Sequence, residues 1–393
     1  MMATVRNPAR DAVAFVGVGT TPYLRDAGGK SATALACDAA RTAIEDAGVD
    51  LADIDGICGS SVPTVSVQAA LGLPAVTWWS NSSLPFSLLV IEAMNAVFSG
   101  ACTTVLVYHS SLRGAGGSKT AAADPFRVHN ASDAHGHNAA MTAESPSGTY
   151  GYCAWAQRYL DTYGVGRDAL GLVAINGRAN AARNPHALFR EPLSMEQYLG
   201  ARMIREPLCV LDMDPPVDAG DAFVLTTAER ARDLGHRPVL LHAATSGRTD
   251  RPFADQLEDY TISGKEIVAW RLWEKSDVAL SDVDVFFPYD GFSIMALSWV
   301  EAVGYCQPGE AGPFLAKHWS AGENRVLIDG RVPINTHGGS LSEGATQGAG
   351  HFREAVTQLR GDAGERQVPG AATALVTPGG FLWNATGFVL RGG

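Results

Sequence analysis

The chain has 393 residues, of which 46% are hydrophobic and 18% charged, a composition ordinary for a soluble globular protein of two or three domain-sized units. A formal charge of −11 and the lack of any lysine or arginine block argue against a nucleic-acid groove, although a nucleotide-bearing ligand needs only a few local basic residues. Six scattered cysteines with no C-x-x-C pair, no signal peptide and no 18-residue apolar run point to a reduced, cytosolic protein.

Val13 to Val18 reads as a buried strand. Ser31 to Ala47 follows with helical periodicity, capped by Ser31 and ended by Gly48. Ile54 to Cys58 is a second strand, Pro85 to Phe98 a strongly apolar helix, and Thr103 to Tyr108 another buried strand. Strands alternating with helices predict an α/β sheet covered on both faces. Residues 114–147 change character, being rich in Gly, Ala, Asp, His and Asn without a clear period. Loops this long are uncommon unless they carry function. His129, His135 and His137 lie there, but no cysteine or acidic set accompanies them at metal-ligand spacing, so no metal is expected.

Tyr150 to Tyr163, Asp168 to Asn184 and Met195 to Ile204 read as helices of an insert or cap. The acids of Asp212-Met213-Asp214 and of Asp218-Ala219-Gly220-Asp221 suit backbone capping before a strand at Ala222 to Thr226 better than they suit a metal. A second α/β pass follows: the strand Val239 to Ser246, the helix Lys265 to Lys275, the strand Val283 to Phe287, and Tyr289-Asp290-Gly291-Phe292-Ser293 before the helix Ile294 to Val303. After the strand Arg325 to Ile328 comes Asn335-Thr336-His337-Gly338-Gly339-Ser340-Leu341-Ser342-Glu343-Gly344, a glycine-rich loop before the helix Phe352 to Leu359. Such a loop brings backbone N–H groups close to a ligand, or serves as a plain tight turn. Strands at Thr373 to Thr377 and Phe381 to Leu390 close a chain whose two passes suggest an internal duplication.

Three segments in this order resemble the thiolase superfamily, in its branch similar to sterol-carrier-protein thiolases. They are Asn81-Ser82-Ser83 opening the helix that ends at Ser99-Gly100, Tyr289-Asp290-Gly291-Phe292-Ser293 with its helix, and Asn335-Thr336-His337-Gly338-Gly339 with Ser342-Glu343-Gly344. The resemblance spans nearly the whole chain. It implies a duplicated thiolase fold of two α/β halves with central helices and a helical or loop insert. The halves would take residues 1–112 with 205–245, and 246–393, and the insert 113–204. An intimate homodimer acting on acyl-CoA thioesters is also implied.

Departures narrow the chemistry. The nucleophilic cysteine of a thiolase falls at Ser83, and Gly344 is followed by Ala345 where a thiolase carries His. A serine nucleophile needs a positioned base, and the family's own base is missing. The pattern resembles the steroid side-chain aldolases of this superfamily, which break the Cα–Cβ bond of a β-hydroxyacyl-CoA. The resemblance further implies a small zinc-ribbon/OB-fold partner or a hot-dog hydratase subunit, and no cofactor beyond the CoA of the substrate. Trp78, Trp79 and Phe86 are candidates to line an apolar pocket.

Retro-aldol cleavage needs a base for the β-hydroxyl and a stabilised enolate. Tyr289 and His337 are the catalytic candidates: a phenol can donate to an oxyanion, and an imidazole can take a proton near neutrality. Ser83, Asn335, Gly338, Gly339 and Asp290 are the candidates for holding substrate. Asp290 also suits a cap on the helix after Phe292, Glu343 suits a helix-start cap, and His351 suits a structural role. Many aldolases of this kind carry a second tyrosine near Gly344; Ala345 stands there instead. The competing readings are an acyltransferase using Ser83 and a non-catalytic acyl-CoA or lipid-binding subunit.

Overall fold

The computed structural model describes residues 7–81, 86–114, 149–250, 263–380 and 384–393. Strand β1 (Val13–Thr20) and helix α1 (Ala32–Ala47) begin the fold where periodicity predicts them, with Ser31 accepting the Ala34 N–H and Gly48 left-handed at the C-cap. The helix lies unusually close to the sheet. A Cβ on Gly17 would sit 2.1 Å from the Ala43 carbonyl oxygen, and one on Gly19 would sit 2.1 Å from that of Ala39. An alanine face on the helix and bare backbone on the strand allow this approach.

The chain continues through β2 (Gly56–Ser60), α2 (Thr64–Leu71), β3 (Trp78–Asn81), α3 (Phe86–Ser99) and β4 (Thr104–Leu112). The insert supplies α4 (Thr149–Tyr163) and α5 (Arg167–Ala181), and β5 (Asp218–Thr227) returns to the sheet. Then come β6 (Val239–Arg248), α6 (Gly264–Lys275), β7 (Val285–Pro288), α7 (Ser293–Ala302), the short α8 (Gly339–Ser342), α9 (Ala349–Arg360), β8 (Thr373–Thr377) and β9 (Asn384–Gly392).

The nine-stranded sheet runs β3-β2-β4-β5-β1-β6-β9-β8-β7. From β1 outward, antiparallel β5 and β4 are followed by parallel β2 and β3. From β6 outward, antiparallel β9 and β8 are followed by parallel β7, and then by a parallel bridge between Phe286 and Ile334. The second series repeats the first, so the duplication suggested by the two α/β passes is present in the strand order. Only Ala14 and Phe15 of β1 pair with β6, and this short seam joins the two series.

Alternate residues on the strands face different layers. Ala14 and Val16 pack with α1, whereas Phe15 packs into a core shared by α3 and α9. In the second series Val285 and Phe287 enter that same central core, and Phe286 faces α7 and the insert. The two halves therefore enclose α3 and α9 between them, and the first residues of these helices meet. The Phe86 and Phe352 rings are 5.9 Å apart at 75°.

Three boundaries differ from the sequence expectation. The helix predicted over 195–204 stops at Leu199, and Met203–Arg205 pairs as a short strand with Leu208–Cys209. Strand β5 starts at Asp218, so Asp218 and Asp221 lie inside the strand rather than capping before it. The predicted boundary at residue 246 falls within β6, which pairs along its length with β9.

Gly19→Ala forces the strand and α1 apart, and the expected loss is about 1–3 kcal/mol, the usual range for overpacking. Urea denaturation of the variant, read as a lowered midpoint at unchanged slope, checks it.

Candidate active site

Tyr289 leaves the end of β7 with its N–H on the Thr377 carbonyl at 3.0 Å. Its ring folds back over Gly291, where a Cβ would meet the hydroxyl at 2.8 Å. Burial, and next the nearby Asp214 carboxylate, raise the phenol well above its usual value. Tyr289 therefore keeps its proton at neutral pH and suits donation rather than the role of base.

Asp290 is 1% exposed and accepts the Ser340 N–H at 2.7 Å. It caps α8, and not the helix after Phe292 as predicted. The Nε2 of His351 lies 3.2 Å from Asp290 Oδ1. Gly339 has φ 65°, and a Cβ there would sit 1.9 Å from Asp290 Oδ2; one on Gly338 would sit 2.6 Å from the Ala181 Cβ. The two glycines let the loop lie against α5 and the aspartate.

Asn335 donates to the Pro288 carbonyl at 2.9 Å, and its Oδ1 has no partner among the described residues. His337 is 1% exposed, and neither ring nitrogen has a hydrogen-bond partner there. Burial lowers its pKa well below the ordinary value, and His351 and Arg353 add to the effect, so the ring is neutral at pH 7. His351 sits in the first turn of α9, with ring centroids 4.8 Å from His337 and 5.6 Å from Tyr289. It belongs to the site and is not a remote helix residue.

Beneath this loop lies a buried ionic group that sequence reading missed. Arg353 on α9 donates to Asp221 Oδ1 at 2.8 Å, to the Tyr23 hydroxyl at 2.8 Å and to Thr20 at 3.1 Å, and pairs with Glu343. Tyr23 donates to Asp221 Oδ2 at 2.5 Å. Asn184 donates to Glu343 at 2.6 Å and to the His337 carbonyl at 2.8 Å. Glu343 is thus the partner of a buried arginine rather than a helix-start cap. A polar stretch such as Phe352 to Leu359 carries no sequence signal that its arginine will be buried, because its partners come from residues far away in the chain.

Asp214 was also passed over as a site residue. Its N–H donates to the Gly291 carbonyl at 3.0 Å, and the neighbouring Pro215 carbonyl accepts the Ala345 N–H at 3.0 Å. On the first half, Ser60 Oγ and His109 Nδ1 lie 2.7 Å apart, and burial lowers the imidazole to about 4. Ser83, His129, His135 and His137 lie outside the described residues. Phe86 is fully buried in the aromatic core while Trp79 is 64% exposed on the edge strand, so the three predicted aromatics do not form one wall. Among the described residues no group of three His, Cys, Asp or Glu is placed to hold a metal ion, and no helix is long and apolar enough to cross a membrane.

Arg353→Ala leaves two buried carboxylates without their cation, and the expected cost is about 3–5 kcal/mol. Glu343→Gln keeps an acceptor for Asn184 and leaves one carboxylate for the arginine, so it costs less; urea unfolding of the two variants checks the order. His109 and His337 are neutral when folded, whereas an unfolded histidine takes up a proton near ~6.5. Their contribution is complete above that pH and is lost as pH falls below it. Thermal midpoints across about pH 7.5 to about pH 5 should fall less steeply in His109→Gln than in the unaltered chain.

The family described as "Thiolase C-terminal domain-like" matches residues 247–392. The chain is 32% identical to the 17-hydroxy-3-oxo-4-pregnene-20-carboxyl-CoA lyase of Mycobacterium tuberculosis, over 93% of this chain and 96% of that protein. It is 30% identical to the steroid side-chain-cleaving aldolase of Thermomonospora curvata, over 96% of this chain and 97% of that protein. Among solved structures, the Ltp2-ChsH2(DUF35) aldolase superposes with a TM-score of 0.83 at 29% identity, covering 98% of each chain. A monomeric SCP2-thiolase-like protein of Mycobacterium smegmatis shares the fold at 18% identity, with a TM-score of 0.70, over 98% of this chain and 78% of that one. With its duplicated sheet, its paired central helices and full-length likeness to these proteins, the chain belongs to the thiolase superfamily, in the branch of the steroid side-chain-cleaving aldolases.

Proposed function

We propose that this protein is a carbon–carbon lyase that cleaves a β-hydroxyacyl-CoA thioester by retro-aldol chemistry. Its acyl group is a steroid side chain, and the products are a ketone or aldehyde and a short acyl-CoA. The observation that carries this reading is likeness along almost the whole chain to two proteins named for that cleavage. In the reaction the β-hydroxyl loses its proton and its C–O bond becomes a carbonyl. The Cα–Cβ bond breaks, and its electron pair enters the thioester as an enolate, which is then protonated at Cα. The thioester is the electron sink, so an acyl-enzyme is not required.

Tyr289 is the residue we assign to donation. It is partly exposed and keeps its proton, so it can hydrogen-bond the thioester oxygen or protonate the enolate carbon. His337 is assigned to the floor of the site. A neutral imidazole N–H with no competing partner suits a developing oxyanion better than a cation does, since it donates without quenching the charge needed for carbon protonation. Asn335 and Asp290 form the frame around it, with Gly338 and Gly339 placing the loop. Ser83, which the family resemblance sets at the nucleophile position, is proposed to contact the thioester. CoA enters as part of the substrate. A small zinc-ribbon/OB-fold protein is the proposed partner, by analogy with the two-component aldolase; a homodimer, and a hydratase acting beside it, are proposed with it.

The purified chain, alone and with the proposed zinc-ribbon/OB-fold partner, is incubated with a steroid β-hydroxyacyl-CoA. Formation of the ketone and of a shorter acyl-CoA in equal amounts is expected; if neither appears, the aldolase reading fails. Trapping of an acyl group on Ser83 would favour an acyltransferase instead. Tyr289→Phe is expected to lower kcat by at least about 100-fold with KM little changed, the scale of a lost proton-transfer group.

A further inference from the structure

With donation assigned to Tyr289, the acceptor of the β-hydroxyl proton is sought among the described residues. His337, assigned above to the oxyanion, is a weak base because burial holds its pKa well below the ordinary value, His351 is turned to Asp290 at 3.2 Å, and Ala345 offers no titratable group. Among the described residues, Asp214, Tyr152, Arg113 and Asp290 act electrostatically on Tyr289, and of the acids Asp214 is the partly exposed one while Asp290 is buried.

The backbone places Asp214 between the two motifs of the site. Its N–H donates to the Gly291 carbonyl at 3.0 Å, and the Tyr289 hydroxyl lies against Gly291. Met213 bridges Phe292 in antiparallel fashion, and the Phe292 ring stacks on Tyr152 at 3.9 Å and 18°. On its other side, Pro215 receives the Ala345 N–H at 3.0 Å. The aspartate thus stands on a short strap held at one end by the Tyr289 loop and at the other by Ala345, the position where the family's second tyrosine is missing. Its carboxylate makes no hydrogen bond to any described residue. We infer that Asp214 is the catalytic base of this site, taking the β-hydroxyl proton as the Cα–Cβ bond breaks. This rests on the aldolase reading proposed above.

Among the described residues, four groups set the charge around it. Arg113 favours the carboxylate and Asp290 opposes it, while Tyr289 and Tyr152 are phenols kept protonated, each by burial first and then by Asp214 itself. Burial dominates for Asp214 and raises its carboxyl to about 7. A base so poised is ionised in a useful fraction at neutral pH and still takes a proton readily. The protons balance. The hydroxyl proton goes to Asp214, Tyr289 gives its own to the enolate carbon, and the proton on Asp214 returns to the Tyr289 phenolate. Asp214 ends ionised, Tyr289 ends protonated, and no oxidant, metal or covalent intermediate enters.

The test uses the full chain with its partner protein and a steroid β-hydroxyacyl-CoA. For the unaltered enzyme, kcat/KM should rise as pH increases through about 7 and level off above it, because the base form is the active one. Asp214→Asn should lose at least about 100-fold in kcat, keep its affinity for the matching acyl-CoA that lacks the hydroxyl, and show no such rise. Asp214→Glu should recover part of the rate and keep a rise with pH. An infrared carboxyl band that titrates near neutrality in the substrate-free protein, and is absent in Asp214→Asn, reads the same group without turnover, and unchanged amide bands in the same spectra show that the variant is otherwise folded. An Asp214→Asn enzyme within threefold of normal, or one that keeps the rise with pH, overturns the role of Asp214 and leaves the aldolase reading intact. An unaltered enzyme that yields neither ketone nor short acyl-CoA overturns both.

Discussion

The rest of the structure depends on one buried cation. Arg353 sits in the central layer between the two halves of the sheet, and its guanidinium reaches Asp221 on β5, Tyr23 and Thr20 after and in β1, and Glu343 in the loop of the second half. Removing an arginine and two carboxylates from water is costly, and it is tolerated only when the geometry is good and the remaining donors and acceptors are met. Here Tyr23, Thr20 and Asn184 supply the remaining partners. The group is therefore a registration device. The first half, the insert and the glycine loop must all be in place before the charge is satisfied, and the loop that carries His337 is placed as a consequence.

That constraint explains the division between a rigid floor and a reactive mouth. Asn335, His337, Asp290 and His351 are each 1–2% exposed and lie on the ionic group or on the backbone of β7. Tyr289, Tyr152 and Asp214 are more open, and their charges are coupled. Preorganised donors beneath and titratable groups above suit a reaction in which charge develops on a thioester oxygen while protons move nearby. The starts of α3 and α9 meet in the same region, through Phe86 and Phe352. Duplication of the α/β unit produces this meeting point, since each half contributes one central helix in the same topological place.

Much of the fold was legible in the chain. The cap and stop of α1, the apolar run of α3 and the alternation of buried strands with helices are local signals, and they mark the right elements to within a few residues. The glycine loop and Tyr289 were legible as motifs. Their roles were less so. Asp290 looked like a cap for the helix just after it and caps the helix 50 residues later. Glu343 and Asp221 looked like terminus acids and are partners of one arginine. Asp214 looked like a capping acid before a strand and stands beside Tyr289.

By itself, the sequence determined most of the element types, the order of the two α/β passes and the absence of a histidine after Gly344, because periodicity, capping and residue identity are local properties. Only the tertiary structure decided which acids are paired, which histidines stay neutral and which carboxylate stands beside Tyr289. Those properties come from desolvation and from neighbours brought together across as many as 333 positions, as between Thr20 and Arg353, and no local pattern encodes them.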